Sequence, residues 1–171
     1  MERNIRVSYS TQLIPTSLKN KNKATIMNQY LKMFEQMGGE GFSKGIATVA
    51  PYFESIDPLV TALRPGYCEM ILKNQKKVQN HLGCIHAIAM CNAAELVGGV
   101  TTEVSTPEGT RWIPEGMSVK YLVKAKTDLV VKCEAGDIDF TQDGKIDVPV
   151  AAYNDEGVKC FTALITMNVK R

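Results

Sequence analysis

The chain has 171 residues, 44% hydrophobic and 22% charged, and its 20 Lys+Arg against 18 Asp+Glu leave a formal charge of +2. That length suits one domain with a sizeable core, or one domain with a helical extension. Balanced charge argues against a dedicated nucleic-acid binder, which carries a clustered basic excess, and ordinary Gly and Pro content argues against disorder. The cysteines, Cys68, Cys84, Cys91, Cys133 and Cys160, are odd in number and form no C-x-x-C pair. A disulfide framework or a zinc site would need tighter, even spacing, so no metal is expected. The start of the chain leads into no apolar signal-like run. The longest apolar stretch, 84–100, is interrupted by His86, Asn92 and Glu95 and falls short of a membrane span. These readings predict a reduced, cytoplasmic protein that binds no nucleic acid and spans no membrane.

Residues 1–23 are polar and end in Lys19-Asn20-Lys21-Asn22-Lys23, the composition of a solvated arm. From Ala24 to Met37 the residues Met27, Tyr30, Leu31, Phe34 and Met37 recur at three- and four-residue steps, which predicts an amphipathic helix. Gly38-Gly39 reads as its stop, and a second short helix is expected over Phe42–Ala50. Tyr67–Lys73, after a Pro65-Gly66 turn, predicts a strand. Cys84–Gly98 predicts a helix apolar almost all round, which requires other structure around it, with Gly98-Gly99 ending it. Strands are then expected over Arg111–Ala125, bent at Pro114 and Gly116, and over Leu129–Glu134, Lys145–Tyr153 and Val158–Val169. Asp143-Gly144 and Glu156-Gly157 supply the tight turns between the last of them. This order predicts an α+β fold in which one long central helix is embraced by one curved antiparallel sheet.

His86, Asn92 and Glu95 are the only polar interruptions of that helix before Gly98. A carboxylate among apolar residues is costly unless it is hydrogen-bonded, protonated or at work. Desolvation raises its pKa toward the range of a general base. Asn92 and Glu95, three residues apart, can share a face and hydrogen-bond. His86 and Glu95 are nine apart, about half a turn out of phase at ~100° per residue. For both to serve one site, they meet most simply across a dimer interface.

Asn80-His81-Leu82-Gly83-Cys84-Ile85-His86-Ala87-Ile88, followed by Glu95, resembles the N-x-x-G-x-x-H-G-G…Asp/Glu pattern of hotdog-fold acyl-CoA thioesterases, including those of the phenylacetyl-CoA type. The stretch from Pro51-Tyr52-Phe53 to the end, including Arg111-Trp112-Ile113-Pro114, resembles a thioesterase-like hotdog family (domain of unknown function 4442). The resemblance implies a hotdog domain over 51–171, preceded by a polar arm and helical extension over 1–50. It implies that Glu95 acts as general base for water or as nucleophile on the thioester carbonyl. Ala87 takes the place of a glycine whose backbone N–H polarises that carbonyl, with the helix start as oxyanion site. Asn80 matches a residue that positions water or the acid, and His86 matches the histidine that shapes the turn into the helix. Gly83, Ile88 and Asn92 fall to substrate binding, and Lys73, with Lys76 and Lys77, could meet CoA phosphates. Ala87-Ile88 departs from the family's glycine pair and adds bulk where a pantetheine arm would approach. A strand hydroxyl found in some members has Ser118 and Thr110 as candidates.

The expected function is hydrolysis of an acyl-CoA or acyl-carrier thioester by a homodimer or dimer of dimers, with the CoA thioester as substrate and no cofactor. One rival is a hydratase or dehydratase using His81 and Glu95, whose fourteen-residue spacing is similar to the His…Glu pair of hotdog acyl-carrier-protein dehydratases. Here, however, Leu82-Gly83-Cys84 follows the histidine instead of F-P-G. The other rival is a non-catalytic acyl-CoA-binding hotdog module. The segment Met27–Met37 could cap an acyl channel or pack on the outer face of the sheet.

Overall fold

Asn28 opens the first helix, α1 (Gln29–Val49), its side chain accepting the Tyr30 N–H at 2.8 Å. The computed structural model describes residues 28–171. The expected arm and the first turn of the expected preamble helix, with Met27, lie outside the described residues. Gly38-Gly39 breaks the helical run of α1, where the sequence places a stop. Gly38 takes φ 65, ψ 178, a conformation essentially reserved for glycine, and the helix resumes beyond this kink. The two short helices expected from sequence are therefore both present, joined end to end across this kink as α1. Gly39 has a separate reason to be glycine, since a Cβ there would run into the Val60 carbonyl oxygen.

A 3-10 turn over Pro51–Ile56 leads into β1 (Leu59–Arg64). The sequence does not predict this strand, because a register shift between Val60 and Ala62 breaks its alternation. β2 (Tyr67–Leu72) follows, then a second 3-10 turn, Lys76–Val78, and the central helix α2 (Ala87–Ser105). β3 (Arg111–Tyr121), β4 (Leu129–Glu134), β5 (Gly144–Tyr153) and β6 (Lys159–Lys170) complete a six-stranded sheet in the order β1-β2-β4-β5-β6-β3, antiparallel throughout. β3 carries its expected bend, a register shift between Pro114 and Gly116, and ends at Tyr121, four residues early.

α2 begins three residues later than expected and runs two turns past Gly98-Gly99 to Ser105. The late start follows from His86, which caps the helix. The glycines do not end it because each lies at a close approach. A Cβ on Gly98 would come within 2.9 Å of Ile165, and one on Gly99 within 2.9 Å of the Trp112 indole. Pro107 limits further extension. The inner face of α2, with Met90, Ala93, Ala94, Leu96, Val97 and Val100, is buried and meets every strand of the sheet. The result is a hotdog fold. The wrapping is one-sided in the single chain, however: Ile88 is 55% exposed and Glu95 is also exposed, both on the side of α2 away from the core.

α1 packs against β1, the 3-10 turn and α2, with Phe42 fully buried, so it joins the core and does not cover the outer face of the sheet. Ser43 Oγ donates to Gly39 O and accepts the Val60 N–H at 2.9 Å. At the other end of α2, Asn28 Nδ2 donates to Glu103 O, and Trp112 Nε1 donates to Glu103 Oε2 at 2.8 Å. Helix, sheet and preamble are thereby joined around Glu103.

Candidate active site

The turn 80–86 delivers the chain to α2, and Asn80 organises it. Its Oδ1 accepts the N–H groups of Leu82 (2.9 Å) and Cys84 (3.2 Å), and its backbone N–H donates to Cys84 O. Gly83 takes φ +71 and is exposed, as is His81. The turn is pinned to its neighbours. Asn74 Nδ2 donates to Lys126 O at 2.7 Å and to Gly83 O at 3.4 Å, and Ile85 N–H donates to Ala125 O at 2.8 Å. Asn80 is therefore occupied as a loop-organising residue, with its side-chain oxygen fully engaged.

His86 is the N-cap of α2. Its Nδ1 accepts the Ile88 N–H at 3.1 Å, and its carbonyl accepts the Met90 N–H at 3.2 Å. An accepting Nδ1 puts the ring proton on Nε2. The Ala87 and Ala89 amides meet no acceptor among the described residues. Two free donors at the positive end of a 19-residue helix can hold developing negative charge.

Glu95 lies eight residues further on, about 12 Å along the axis at 1.5 Å per residue. Its carboxylate makes no hydrogen bond or ion pair with the described residues. The expected bond from Asn92 does not form. Asn92 is buried and its Nδ2 donates to Tyr52 O (3.3 Å) and Ser55 Oγ (3.0 Å). A three-residue step leaves about 60° between two side chains, and here it sends Asn92 under the 3-10 turn and Glu95 outward. Glu95 keeps contact with solvent, yet enough protein lies around its carboxyl for desolvation to raise its pKa above the ordinary carboxylate value.

A cavity of about 230 Å³ opens between the 3-10 turns and the first two turns of α2. It brings together three residues expected at the site, His86, Ile88 and Asn92, and adds Tyr52, Ser55, Lys77 and Gln79. No motif marks those four; the sequence clue is only that Pro51 and Lys76-Lys77 border the pattern-bearing segment. Lys73 is exposed beyond the end of β2, and Lys76 and Lys77 are exposed nearby. Ser118 lies on the exposed face of β3, whereas Thr110 Oγ1 is buried without a partner in the loop before it.

Cys91, one turn before Glu95, is a further neighbour that no sequence pattern marks. Its Sγ lies 3.3 Å from the Tyr121 hydroxyl at the end of β3. That hydrogen bond, with some burial, pushes the Tyr121 pKa up to about 12, so the phenol stays protonated. All five thiols are free, and burial pushes Cys133 up to about 11. No group of three His, Cys, Asp or Glu side chains converges among the described residues. No helix among them is long and apolar enough to cross a membrane.

Residues 38–169 match the family described as Domain of unknown function (DUF4442). The structure is similar to that of the structural-genomics protein APC5556, at 46% identity and TM-score 0.77, covering 84% of this chain and 97% of that one. It also resembles the thioesterase HI1161 of Haemophilus influenzae, at 13% identity and TM-score 0.68, covering 78% of this chain and 90% of that one. A protein of unknown function from Pseudomonas aeruginosa, PA5026, described as a probable thioesterase, shares 17% identity at TM-score 0.63, covering 70% and 87% of the two chains. The last two likenesses establish the fold. Comparison with curated proteins gives no match.

Proposed function

We propose, for a chain that belongs to the DUF4442 family, that it hydrolyses acyl thioesters, acyl-CoA among them, at a site completed by a second copy of itself. The observation that carries this reading is Glu95, an unpaired carboxylate on the open face of α2 whose proton affinity is raised by its surroundings. Glu95 takes a proton from water as the water oxygen attacks the thioester carbonyl. The tetrahedral oxyanion is held by the free amides at an α2 start. As it collapses the C–S bond breaks, and the thiolate recovers the proton from Glu95.

The ~12 Å between Ala87 and Glu95 within one helix is too far for both to act on one carbonyl. In this proposal the amides of one protomer therefore face the Glu95 of its partner. The open edge of the sheet supports such pairing. Among the described residues β3 pairs on one side only, with β6, while β1 at the other margin is blocked by α1. Tyr121, Leu122 and Val123 stand together at one end of that edge and Ile113 near its other end, each at least 40% exposed. His86 acts by capping the helix whose amides do the work, and Asn80 by shaping the turn. Lys73, Lys76 and Lys77 lie at the same end of the molecule and suit the phosphates of CoA.

The test is free-thiol release from a panel of acyl-CoAs. Glu95→Gln is expected to lower kcat by about 10²–10⁴-fold, the usual contribution of a general base. Thiol release from none of the panel by the unmodified protein, with acyl-CoA still bound, would leave a binding module and sink the hydrolase.

A further inference from the structure

We infer that the Tyr121 phenol is a second functional group of the hydrolytic site, its oxygen accepting the hydrogen of the attacking water that Glu95 does not take. The inference rests on the thioesterase reading above and adds a residue to its machinery. Tyr121 ends β3 and faces the inner side of the sheet, because its cross-strand partner Phe161 is fully buried and the two rings lie 5.6 Å apart. On that side its hydroxyl reaches Cys91 Sγ at 3.3 Å. Cys91 and Glu95 are four residues apart on α2, which puts their Cβ atoms about 5–6 Å apart on one face. Both keep contact with solvent, whereas Asn92, Ala93 and Ala94 between them are buried. A helical side chain leans toward the start of its helix, so Glu95 leans toward Cys91. Trp112, near the start of β3, meets α2 at Gly99 and Glu103, and Tyr121, at its end, meets it at Cys91. Glu95 lies between those contacts, and one water on the phenol oxygen, at about 2.8 Å, spans the gap to its carboxylate.

Hydrogen-bond chemistry decides what the phenol does. A phenol is a good donor and a thiol a weak one, so the Tyr121 hydrogen points to Cys91 Sγ and the phenol oxygen keeps its lone pairs. Tyr121 is 50% exposed, and water reaches them. The same hydrogen bond keeps the phenol neutral, so no second negative charge stands beside Glu95. An attacking water has two hydrogens to place. One passes to Glu95 as the O–C bond forms and then, as the C–S bond breaks, to the departing thiolate. The other stays on the oxygen and becomes the hydroxyl hydrogen of the product acid. By accepting it, Tyr121 fixes the rotation of the water and aims a lone pair at the carbonyl.

The experiment is Tyr121→Phe, which removes the oxygen and leaves the ring against Phe161. The substrate is whichever acyl-CoA of the panel the unmodified protein hydrolyses fastest. In the variant kcat should fall about 10–100-fold, with KM and Tm nearly unchanged. A second readout uses methanol as a competing acceptor. Methanol has a single hydroxyl hydrogen, which Glu95 takes, and none left over for Tyr121. The ratio of methyl ester to free acid should therefore rise in Tyr121→Phe by about the factor lost from hydrolysis. A residue that only packs would slow both acceptors alike. An unchanged kcat, or a loss shared equally by ester and acid, would overturn the inference. Where ester is too scarce to measure, the kcat comparison decides alone. No thiol release by the unmodified protein sinks the hydrolase and this inference with it, whereas release that Tyr121→Phe leaves intact sinks the inference only.

Discussion

Glu95 carries a consequence for pH that can be given a sign. Its carboxyl holds a proton to higher pH in the folded chain than in the unfolded one, because partial burial disfavours the charge. Between the unfolded pKa near 4.3 and the raised folded value, the native state binds more protons, so stability falls as pH rises through that window. Glu95→Gln should therefore raise Tm at neutral pH, and the gain should vanish below about pH 4, as read by thermal melts across pH. Activity should run the opposite way, kcat/KM rising with an acid limb above the ordinary carboxylate pKa. An acid limb at or below that ordinary value would remove Glu95 from the role of base. The positions of Glu95 and His86 are legible in the sequence because each follows from spacing along one helix. The partners of Asn92 are not, since Tyr52 and Ser55 reach it through a turn that carries no pattern.

At the scale of elements, the glycines separate what sequence reveals from what only packing decides. Gly-Gly after an apolar run reads as a helix stop, but Gly98 and Gly99 continue α2 because Ile165 and Trp112 leave no room for a side chain. The same pair of letters thus means a stop or a close approach, depending on strands tens of residues away. Gly99→Val should destabilise the fold by about 1–3 kcal/mol, the range for overpacking a filled site, which the slightly better helix propensity of Val over Gly only partly offsets, measured by denaturant unfolding. The indole is the obstacle: it is held by Glu103 and is not free to turn aside. At the kink in α1 the cause is backbone rather than space. Gly38 has nothing within 4 Å of a would-be Cβ, so Gly38→Ala should cost about 1–3 kcal/mol through its φ of 65 alone. The last three strands, β4 to β6, can be read to within a residue because alternation and turn pairs agree there, whereas β3 stops four residues short. β1 escapes because its register shift spoils the alternation.

For the whole molecule, the open β3 edge is what the proposed pairing requires. Two copies meeting through it about a two-fold axis would place like residues close together. Ile113→Lys combined with Leu122→Lys should therefore shift the protein to monomer in sedimentation and abolish thiol release, while each chain keeps its melting transition. A double variant that stays dimeric, or a monomer that stays active, would rule out the shared site. The contrast between the two margins of the sheet also sets a limit on assembly. With α1 lodged against β1, lateral extension has a single direction, and joining two chains through β3 uses it up on both sides. In the proposed pairing, edge-to-edge association would therefore stop at two. Taking away α1 would expose a second margin and, if the proposed pairing holds, would turn a closed pair into the unit of an open-ended fibre, giving the preamble helix the part of a chain terminator within that proposal.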